Sequence, residues 1–516
     1  MNPRVFVLGV DGLNEAIWRH LRDAGLAPFL TRLITHTLPL QSTTPAHTAP
    51  AWTSIATGLN PGRHGVLNFW QRTATVPVSW RSCPLVTRAA QPFFWELAHQ
   101  QGVQVGVFNY PLSYPPSPVS GYWVCGLNTP SRARDFIYPS SLAAELDFAV
   151  DVDIAGLSLP HHGRLSPRRR QVALRQITWL LRNHFTAGQR AIASVGAAPR
   201  LYVHVVTATD RLFHLFWDAL FDVSHPLAAE IAEFWAALDA GVRAWLEAAQ
   251  PDVVLLVSDH GAAPAPQFAF SVDRWLTSLG VGQMTGTEAF LHLPSATLLK
   301  RLVRRLLPAV ASRLRSGREA DVLAFYAQHW PAIPEVLYGP TIGITMNVRG
   351  RQPAGLLSPA QADELLAAIA AAARDLRDAE GRNVFQAVRS AAEVWWGEYA
   401  ARFPDLVLEL APPYSGAVGS SDQRMVFPVL SARLGDHAAL GILGANRPLA
   451  YDAPVVWDVA GLVLDLLGAA VPSALDSRAA DRSAAPGMPL PHPPVAFSAA
   501  DADVIAQRLR RLGYVD

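Results

Sequence analysis

The sequence is poor in cysteine, carries no excess of either charge and has no long apolar run. Cys83 and Cys125 are the only cysteines among 516 residues, too few for a disulfide scaffold or a cysteine-based metal site. The 43 Lys and Arg residues balance 42 Asp and Glu residues, and the formal net charge of +1 argues against a general electrostatic design for a nucleic acid polymer. Nowhere do about 18 apolar residues follow one another without interruption by a charged residue, Pro or Gly, so no transmembrane segment is expected.

The N-terminus also lacks the pattern of a signal peptide. Residues 1–4 lead at once into the apolar run 5–10, without a cationic region followed by a longer apolar stretch and a cleavage site. A cytoplasmic location is therefore expected. A hydrophobic content of 50% over this length predicts a large buried core, in one large domain with an inserted subdomain or in two domains.

Short apolar runs alternate with segments of helical periodicity along most of the chain. The runs are rich in Val, Ile and Leu and end at Gly, Pro or Asp, which is typical of strands buried on both faces. The predicted strands are 5–10, 103–108, 201–206, 253–257, 342–348, 406–410 and 441–443, and the predicted helices are 14–24, 93–101, 169–193, 227–249, 359–378 and 455–467. This alternation predicts an α/β fold with a mostly parallel central sheet and helices on both faces. Ligands then bind beyond the carboxyl ends of the strands.

The predicted core comprises residues 1–261 and 339–475, and residues 262–338 are expected to form an inserted helical cap. Within this insertion, segment 296–328 interleaves Lys and Arg with Leu and Val at helical spacing. We favour a solvated basic face over a packed apolar one, with a membrane-surface helix as the alternative. Residues 476–516 are expected to form a tail. Its Ser-, Ala- and Pro-rich part is expected to be extended or poorly ordered along the surface.

Two early residues are candidates for chemistry. Asp11 follows the first predicted strand, although a single Asp-Gly pair there is usually only a turn. Thr48 stands at the expected N-cap of a helix with Pro50 in its first turn and Gly58 at its end. Either Thr48 only caps the helix, or the free N–H groups there stabilise its alkoxide and bind a phosphoryl oxygen. A threonine hydroxyl is a weak nucleophile until a base or metal activates it, so the second role requires a cation beside Thr48.

Three later segments supply candidate ligands for such a cation. An apolar strand leads into Asp210, and His214 follows four residues later on the same face of a helical turn. Another strand delivers Asp259 and His260 to its carboxyl end, and His437 precedes a short strand near the C-terminus. Oxygen and imidazole ligands together suit Zn²⁺, with Mn²⁺ or Fe also possible.

These motifs, taken in order, resemble the alkaline phosphatase superfamily. The resemblance is strongest to its type I phosphodiesterase/nucleotide pyrophosphatase members and to the predicted phosphohydrolase/phosphomutase group. The motifs that carry it are residues 9–12, 50–65, 210 with 214, 258–261 and 435–437.

The resemblance implies a two-metal-dependent phosphoester hydrolase with a phospho-threonine intermediate on Thr48. It implies that Asp210, His214 and His437 hold one divalent ion, Zn²⁺ being expected over Mn²⁺. It also implies that Asp11, Asp259 and His260 hold the second ion, toward which Thr48 bridges as the nucleophile. The two ions are then expected about 4 Å apart, clamping the attacking and leaving oxygens.

The resemblance is weaker at two further residues. Family members bind a nonbridging phosphoryl oxygen with an asparagine shortly after a His-Gly pair, and Asn68 is the candidate here. It stands one residue early, so a structural amide is the alternative. His64 fits a supporting or packing role better than a ligand role. A sulfatase is not favoured, because the Cys83-Pro84 dipeptide lacks the sulfatase spacing and a threonine cannot be converted to formylglycine.

A small-molecule phosphodiester is the favoured substrate, because the nucleophile is a threonine. The alternatives are a phosphomonoesterase or phosphomutase of the same superfamily, and a metal-binding protein without turnover. Segments 70–92, 112–165 and 262–340 are expected to determine the choice of leaving group, which the metal ligands leave open.

Overall fold

The structure is a computed structural model that describes residues 3–72, 83–130, 135–150, 165–196, 198–282, 322–420, 422–429, 433–478, 492 and 495–511. The chain divides into two compact units. The first unit comprises Met1–Phe69, Leu85–Ala265 and Leu430–Asp516, and the second comprises Trp70–Pro84 and Pro266–Val429.

The strands confirm most of the predicted apolar runs and add several shorter ones. In chain order they are β1 (Val5–Val10), β2 (His36–Gln41), β3 (Val105–Tyr110), β4 (Gly121–Cys125), β5 (Ile137–Tyr138), β6 (Leu201–Val206), β7 (Val253–Val257), β8 (Gly261–Pro264), β9 (Phe268–Ser271), β10 (Ala332–Tyr338), β11 (Thr341–Met346), β12 (Phe385–Ser390), β13 (Leu406–Leu410), β14 (Tyr414–Ala417), β15 (Val426–Pro428), β16 (Gly435–Ala438) and β17 (Leu440–Ala445).

The six predicted helices are also present, within a few residues of their expected ends. The helices are α1 (Glu15–Asp23), α2 (Pro28–Leu33), α3 (Thr48–Thr57), α4 (Pro61–His64), α5 (Phe94–Gln100), α6 (Pro167–Ala193), α7 (Ala208–Leu220), α8 (Ala228–Ala249), α9 (Val272–Ser278), α10 (Pro359–Asp375), α11 (Ala391–Val394), α12 (Asp458–Leu466) and α13 (Ala499–Arg511), with short 3₁₀ turns at Ser140–Ala144 and Ala400–Arg402. No helix in the described part of the chain is long and apolar enough to cross a membrane.

The first unit is built on one mostly parallel sheet, as the sequence predicts. Its strand order is β2-β17-β7-β1-β6-β3-β4-β5. Strand β1 runs parallel to both β6 and β7, while β17 and β5 pair with their neighbours in the antiparallel sense. Val10 pairs with Val206, and Gly9 with Val257, so these three strands end at the same edge. Residues that follow β1, β6 and β7 are thereby brought together.

The helices beside this sheet form two groups, and the helices of each group contact one another. Helices α1, α2, α6, α7 and α8 form one group, and α3, α5 and α12 form the other. Every residue of β1, β3, β6 and β7 is buried. This explains why these strands read as continuous apolar runs instead of alternating ones.

The second unit has its own core around a four-stranded antiparallel sheet of order β10-β11-β13-β12. The sequence assigns residues 339–429 to the core of the parallel sheet, whereas in the structure they lie in this second unit. Strands β11 and β13 are buried apolar runs, and such runs have the same pattern in parallel and antiparallel sheets. The short turn at Gly339 and Pro340 makes β10 and β11 a hairpin. Most of the basic segment 296–328 lies outside the described residues.

The described part of the C-terminal tail is docked on the first unit. Helix α13 buries Ile505 and Leu509, and the ring of Phe497 stacks on Tyr114 at 5.6 Å. His492 contacts the buried carboxylate of Glu96 at 3.2 Å. Most of the Ser-, Ala- and Pro-rich part that is expected to be extended lies outside the described residues, and residues 499–511 beyond it form a helix.

Glu96 is a buried anchor for this region. Its carboxylate accepts hydrogen bonds from Arg88 at 2.6 Å, from Ser117 at 2.6 Å and from the backbone N–H of Phe93 at 2.9 Å. Burial opposes ionisation of Glu96, but the contacts to His492 and Arg88 outweigh it and lower its pKa to about 2. A lowered carboxyl pKa contributes stability above the ordinary pKa near 4.5, and that stability is lost as the pH falls toward 2.

We therefore expect Glu96→Gln to lower the free energy of unfolding at pH 7 by about 3–5 kcal/mol, because Arg88 is left buried without its counter-charge. Urea unfolding followed by circular dichroism at pH 7 and pH 3 measures this loss. The difference between variant and wild type shrinks at the lower pH. Arg88→Met combined with Glu96→Gln is the control, and it recovers stability. A pH-independent loss would contradict the electrostatic explanation.

Candidate active site

Asp11 is held in place by the end of β1 and by Trp52 of α3. Gly12 adopts φ +76°, which turns the chain sharply after the strand. A Cβ at Gly9 would lie 2.7 Å from the Trp52 ring, so glycine there allows the indole to reach across the strand. The indole N–H of Trp52 then donates to Asp11 Oδ2 at 3.1 Å. Asp11 is fully buried.

Thr48 is the first residue of α3, and His47 is the N-cap. The expectation that Thr48 is the N-cap is wrong by one residue, and no side-chain capping bond is formed. Its hydroxyl instead lies 3.3 Å from His260 Nε2. Thr48 is fully buried at the positive end of the helix, where backbone N–H groups have no partner within the helix. Gly58 ends α3 in the left-handed conformation, as predicted.

Asp210, His214 and His437 meet at one point. Asp210 Oδ1 lies 3.2 Å from His214 Nε2 and 3.4 Å from His437 Nε2, and the two Nε2 atoms are 3.1 Å apart. Asp210 and His214 lie on successive turns of α7, directly after β6, whereas His437 comes from β16. Strand β16 pairs with β8, which directly follows β7 and His260. This pairing brings His437, which lies 223 residues after His214 in the chain, to the same edge of the sheet.

Asp259 and His260 follow β7 and face Asp11. His260 Nε2 lies 3.2 Å from Asp259 Oδ2 and 3.5 Å from Asp11 Oδ1. The backbone N–H of Gly12 donates to Asp259 Oδ1 at 3.3 Å. The rings of His260 and His437 stack at 3.6 Å, so the two clusters form one continuous site.

The three histidines share one orientation. In each ring Nδ1 lies within hydrogen-bond distance of a backbone carbonyl, so Nδ1 carries the proton and Nε2 presents its lone pair to the site. The Nδ1 contacts are His214 to Gly435 O at 2.8 Å, His260 to Gly261 O at 2.9 Å and His437 to Ala46 O at 3.1 Å. Burial also lowers the pKa of His260 and His437, which favours the neutral form that binds metals.

This arrangement fits divalent cations. Lone pairs of the Nε2 atoms face carboxylate oxygens at 3.2–3.5 Å, and acceptors facing acceptors repel unless a cation lies between them. The buried oxygens Asp11 Oδ1 and Asp259 Oδ2 accept no hydrogen bond from the described residues. Burial, reinforced by the nearby charge of Asp210, raises the pKa of Asp11 and Asp259. A bound cation would favour their ionised form.

Two groups have ligand atoms close enough to share an ion. They are Asp210 with His214 and His437, and Asp11 with Asp210 and His260, each within 4.8 Å. Asp210 thus belongs to both groups, which the sequence does not indicate, while Asp259 reaches the second through His260. Although burial opposes its ionisation, His214 and His437 hold the pKa of Asp210 well below its usual range.

Of the two remaining predicted residues, His64 lies beside α3. His64 Nε2 is 2.9 Å from Ser54 Oγ, and its Nδ1 accepts the backbone N–H of Val66 at 3.1 Å. Burial lowers its pKa to about 3, so His64 is a neutral packing residue here and not among the clustered ligands. Asn68 is buried, and its Oδ1 accepts the backbone N–H of Phe69 at 2.6 Å.

Sequence reasoning missed three residues at the site. Trp52 orients Asp11, and the buried ring of His47 lies 5.9 Å from that of His437. Arg433 Nη2 lies 2.6 Å from His214 Nε2. Trp52 and His47 flank Thr48 in the sequence, so their proximity could have been anticipated. Arg433 gave no signal beyond its position four residues before His437.

Buried aspartates and histidines at the carboxyl ends of parallel strands, beside a helix-terminal hydroxyl, define a candidate metallohydrolase. The chain belongs to the type I phosphodiesterase/nucleotide pyrophosphatase family, whose sequence model matches residues 5–437. It is therefore an enzyme of the alkaline phosphatase superfamily and a hydrolase acting on phosphoric ester bonds. Enzymes of this superfamily use divalent metals, and the clustered ligands provide candidate sites for them.

A solved structure agrees with this fold. Phosphonoacetate hydrolase from Sinorhizobium meliloti 1021 in complex with phosphonoacetate superposes with a TM-score of 0.52 at 15% identity, over 91% of this chain and 96% of that one. The same hydrolase in complex with phosphonoformate gives a TM-score of 0.49 at 15% identity, with the same coverage. No curated protein sequence matches the chain significantly.

Proposed function

We propose that the protein is a two-metal phosphodiesterase of the nucleotide pyrophosphatase type that acts through a phospho-Thr48 intermediate. The observation that carries this proposal is the position of the Thr48 hydroxyl. It lies 3.3 Å from His260 Nε2, at a helix N-terminus and at the edge of a buried cluster of metal-ligating side chains. A hydroxyl placed only to cap the helix would bond to backbone N–H groups instead.

In this proposal Asp210, His214 and His437 hold one divalent ion. Asp11, Asp259 and His260 hold the second. We propose Zn²⁺, with Mn²⁺ as the alternative, because the ligands combine carboxylate oxygen with imidazole nitrogen. When bound, such ions neutralise charge on the phosphoryl group and lower the pKa of a neighbouring hydroxyl.

The chain's own residues then perform two displacements. Thr48 Oγ1 attacks phosphorus, the ester bond to the leaving group breaks, and the helix N-terminus stabilises the developing negative charge. Water then attacks the phosphothreonine, which releases the phosphate ester and restores the Thr48 hydroxyl. Trp52 holds Asp11 Oδ2 and so keeps Oδ1 directed toward His260. Asn68 is proposed to bind a nonbridging phosphoryl oxygen.

The proposed substrate is a small-molecule phosphodiester, and the proposed location is the cytoplasm. The similar solved structure is named a hydrolase of phosphonoacetate, so this compound is a useful comparison substrate.

Hydrolysis of bis-p-nitrophenyl phosphate and of p-nitrophenyl phosphate by the purified protein tests the proposal. We expect faster turnover of the diester with Zn²⁺ or Mn²⁺ and loss of turnover with EDTA. Preference for the monoester would instead support a phosphatase or phosphomutase, and preference for phosphonoacetate would support a phosphonate hydrolase. Absence of metal-dependent turnover of all three would indicate a binding protein.

A further inference from the structure

Strand β3 contains a bulge just before its last residue. Its register with β4 shifts between Phe108 and Tyr110, so that Asn109 is an extra residue in the strand. Asn109 has a φ of +57°, in the left-handed region that is uncommon for residues other than glycine. Its side-chain amide donates to Val205 O at 2.8 Å and lies 3.2 Å from His184 Nδ1. The bulge is therefore held in place by buried hydrogen bonds to two neighbouring elements.

The bulge directs the side chain of Tyr110 away from the face of the sheet that Phe108 occupies. In a regular strand, residues two positions apart point to the same face. Here the ring of Phe108 packs against Trp245 of α8, with ring centroids 5.9 Å apart. The ring of Tyr110 packs instead against Trp52 of α3 at 5.4 Å and against Trp95 of α5 at 4.6 Å. Without the extra residue, Tyr110 would point toward α8 and would not contact Trp52.

Tyr110 holds Trp52 through two contacts. Its hydroxyl donates to Trp52 O at 2.7 Å, and its ring meets the indole edge-on at an interplanar angle of 77°. Both side chains are fully buried. The indole also lies against Gly9 of β1, where a Cβ would come within 2.7 Å of it, and its N–H donates to Asp11 Oδ2 at 3.1 Å. A continuous row of buried contacts thus runs from the end of β3 to the carboxylate of Asp11.

We propose that Tyr110 is a positioning residue that acts through Trp52 and keeps Asp11 in the orientation that holds a divalent cation. This inference rests on the proposed function, since it takes Asp11 as a metal ligand. Because the indole of Trp52 holds Oδ2, Asp11 Oδ1 stays directed toward His260 at 3.5 Å. Loss of the Tyr110 hydroxyl frees the indole to move, and Asp11 then loses its fixed orientation. Groups that only orient metal ligands contribute about 10–100-fold to metal affinity.

Calorimetric titration of zinc into the metal-stripped protein tests this role without relying on turnover. Asp11→Asn first identifies the binding step that requires Asp11. We expect Trp52→Phe, which removes the indole N–H, to weaken that step by about 10–100-fold. Tyr110→Phe keeps the ring and removes only the hydroxyl, so we expect it to weaken the same step by about tenfold and to change the other step by less than about threefold.

A double-mutant cycle separates an action through Trp52 from a general loss of packing. In the Trp52→Phe background, Tyr110→Phe is expected to change zinc affinity by less than about twofold, because the group through which it acts is already absent. Tyr122→Phe is the matched control. Tyr122 is a fully buried tyrosine of the adjacent strand β4, and its hydroxyl lies 2.7 Å from His204 Nε2. Each tyrosine variant loses a buried hydrogen bond and is expected to unfold at lower urea concentration, but only Tyr110→Phe is expected to weaken zinc binding.

Three results would overturn the proposal. They are an unchanged zinc affinity in Tyr110→Phe, an equal loss of zinc affinity in Tyr122→Phe, and an effect of Tyr110→Phe that persists in full in the Trp52→Phe background. The proposed function is tested separately by Asp11→Asn. If that variant binds zinc as the wild type does, the proposed metal site fails and the role of Tyr110 fails with it. If Asp11→Asn weakens zinc binding and Tyr110→Phe does not, only the role of Tyr110 is refuted.

Discussion

Thr48→Ala is expected to lower kcat for the preferred phosphoester by about 10³–10⁴-fold or more, because no other side chain replaces a nucleophile of a covalent pathway. The fold and the metal ligands are expected to persist, since the hydroxyl contributes only its 3.3 Å contact to His260. Steady-state kinetics measure the loss. Quenching wild-type turnover and mapping phosphothreonine by mass spectrometry tests the intermediate directly.

The control for this substitution is Thr53→Ala in the same helix. Thr53 is also buried, but its hydroxyl donates to Ala49 O at 2.7 Å, and it lies more than one helical turn after Thr48 in α3. Its removal is expected to cost about 1 kcal/mol of stability and to change kcat by less than about threefold. Thr48→Ser keeps a hydroxyl and is expected to retain activity. A Thr48→Ala enzyme with near wild-type kcat would show that water attacks phosphorus directly.

The sequence predicts which candidate ligands lie together where these residues directly follow the inner strands. Asp11, Asp210 and Asp259 each come within a few residues of a buried apolar run, and parallel strands place such ends along one edge. The strand bounds at β1, β6 and β7 agree with the predicted ones residue for residue. Apart from Gly9 and His204, these runs consist of aliphatic and aromatic residues, and polar residues bound them, which defines their limits.

Relations that depend on distant pairing could not be read from the sequence. His437 reaches the site because β16 pairs with β8, and Asp210 stands between both ligand groups because α7 begins directly after β6. The one-residue error at Thr48 has a local cause. His47 has extended backbone angles while Thr48 is already helical, and a threonine at the first helical position has the same sequence pattern as one at the cap.

The second unit illustrates a different limit. Ile342–Val348 and Leu406–Leu410 read as strands, and strands are present there, but the sheet they form is antiparallel. Hydrophobic periodicity reports burial and does not report the direction of the neighbouring strand. The resemblance of ordered motifs, by contrast, indicates the family correctly, because the family model matches residues 5–437, a range that includes all of these motifs.

Asp259→Asn is expected to change metal affinity and stability in opposite directions. Zinc affinity falls at least about a hundredfold, because even groups that only orient metal ligands contribute 10–100-fold. In the EDTA-treated protein, however, the free energy of unfolding is expected to rise by about 1–3 kcal/mol, because one of three buried, mutually repelling carboxylates is removed. An amide still accepts the N–H of Gly12 in place of Asp259 Oδ1.

Asp239→Asn is the matched control, because Asp239 is also a buried aspartate of the first unit. Its two oxygens accept the backbone N–H groups of Phe29 at 3.0 Å and Leu30 at 2.8 Å, in the first turn of α2. Both oxygens of that carboxylate accept hydrogen bonds, so its loss is expected to destabilise the protein with or without zinc and to leave zinc affinity unchanged.

Calorimetric zinc titration measures the metal affinity of each variant, and urea unfolding with and without EDTA measures its stability. If Asp259→Asn also destabilised the EDTA-treated protein, Asp259 would be a structural acceptor, and the assignment of a cation to this cluster would fail. Opposite signs for the two aspartates would mean that the fold tolerates an unfavourable carboxylate at residue 259 because the bound ion requires it.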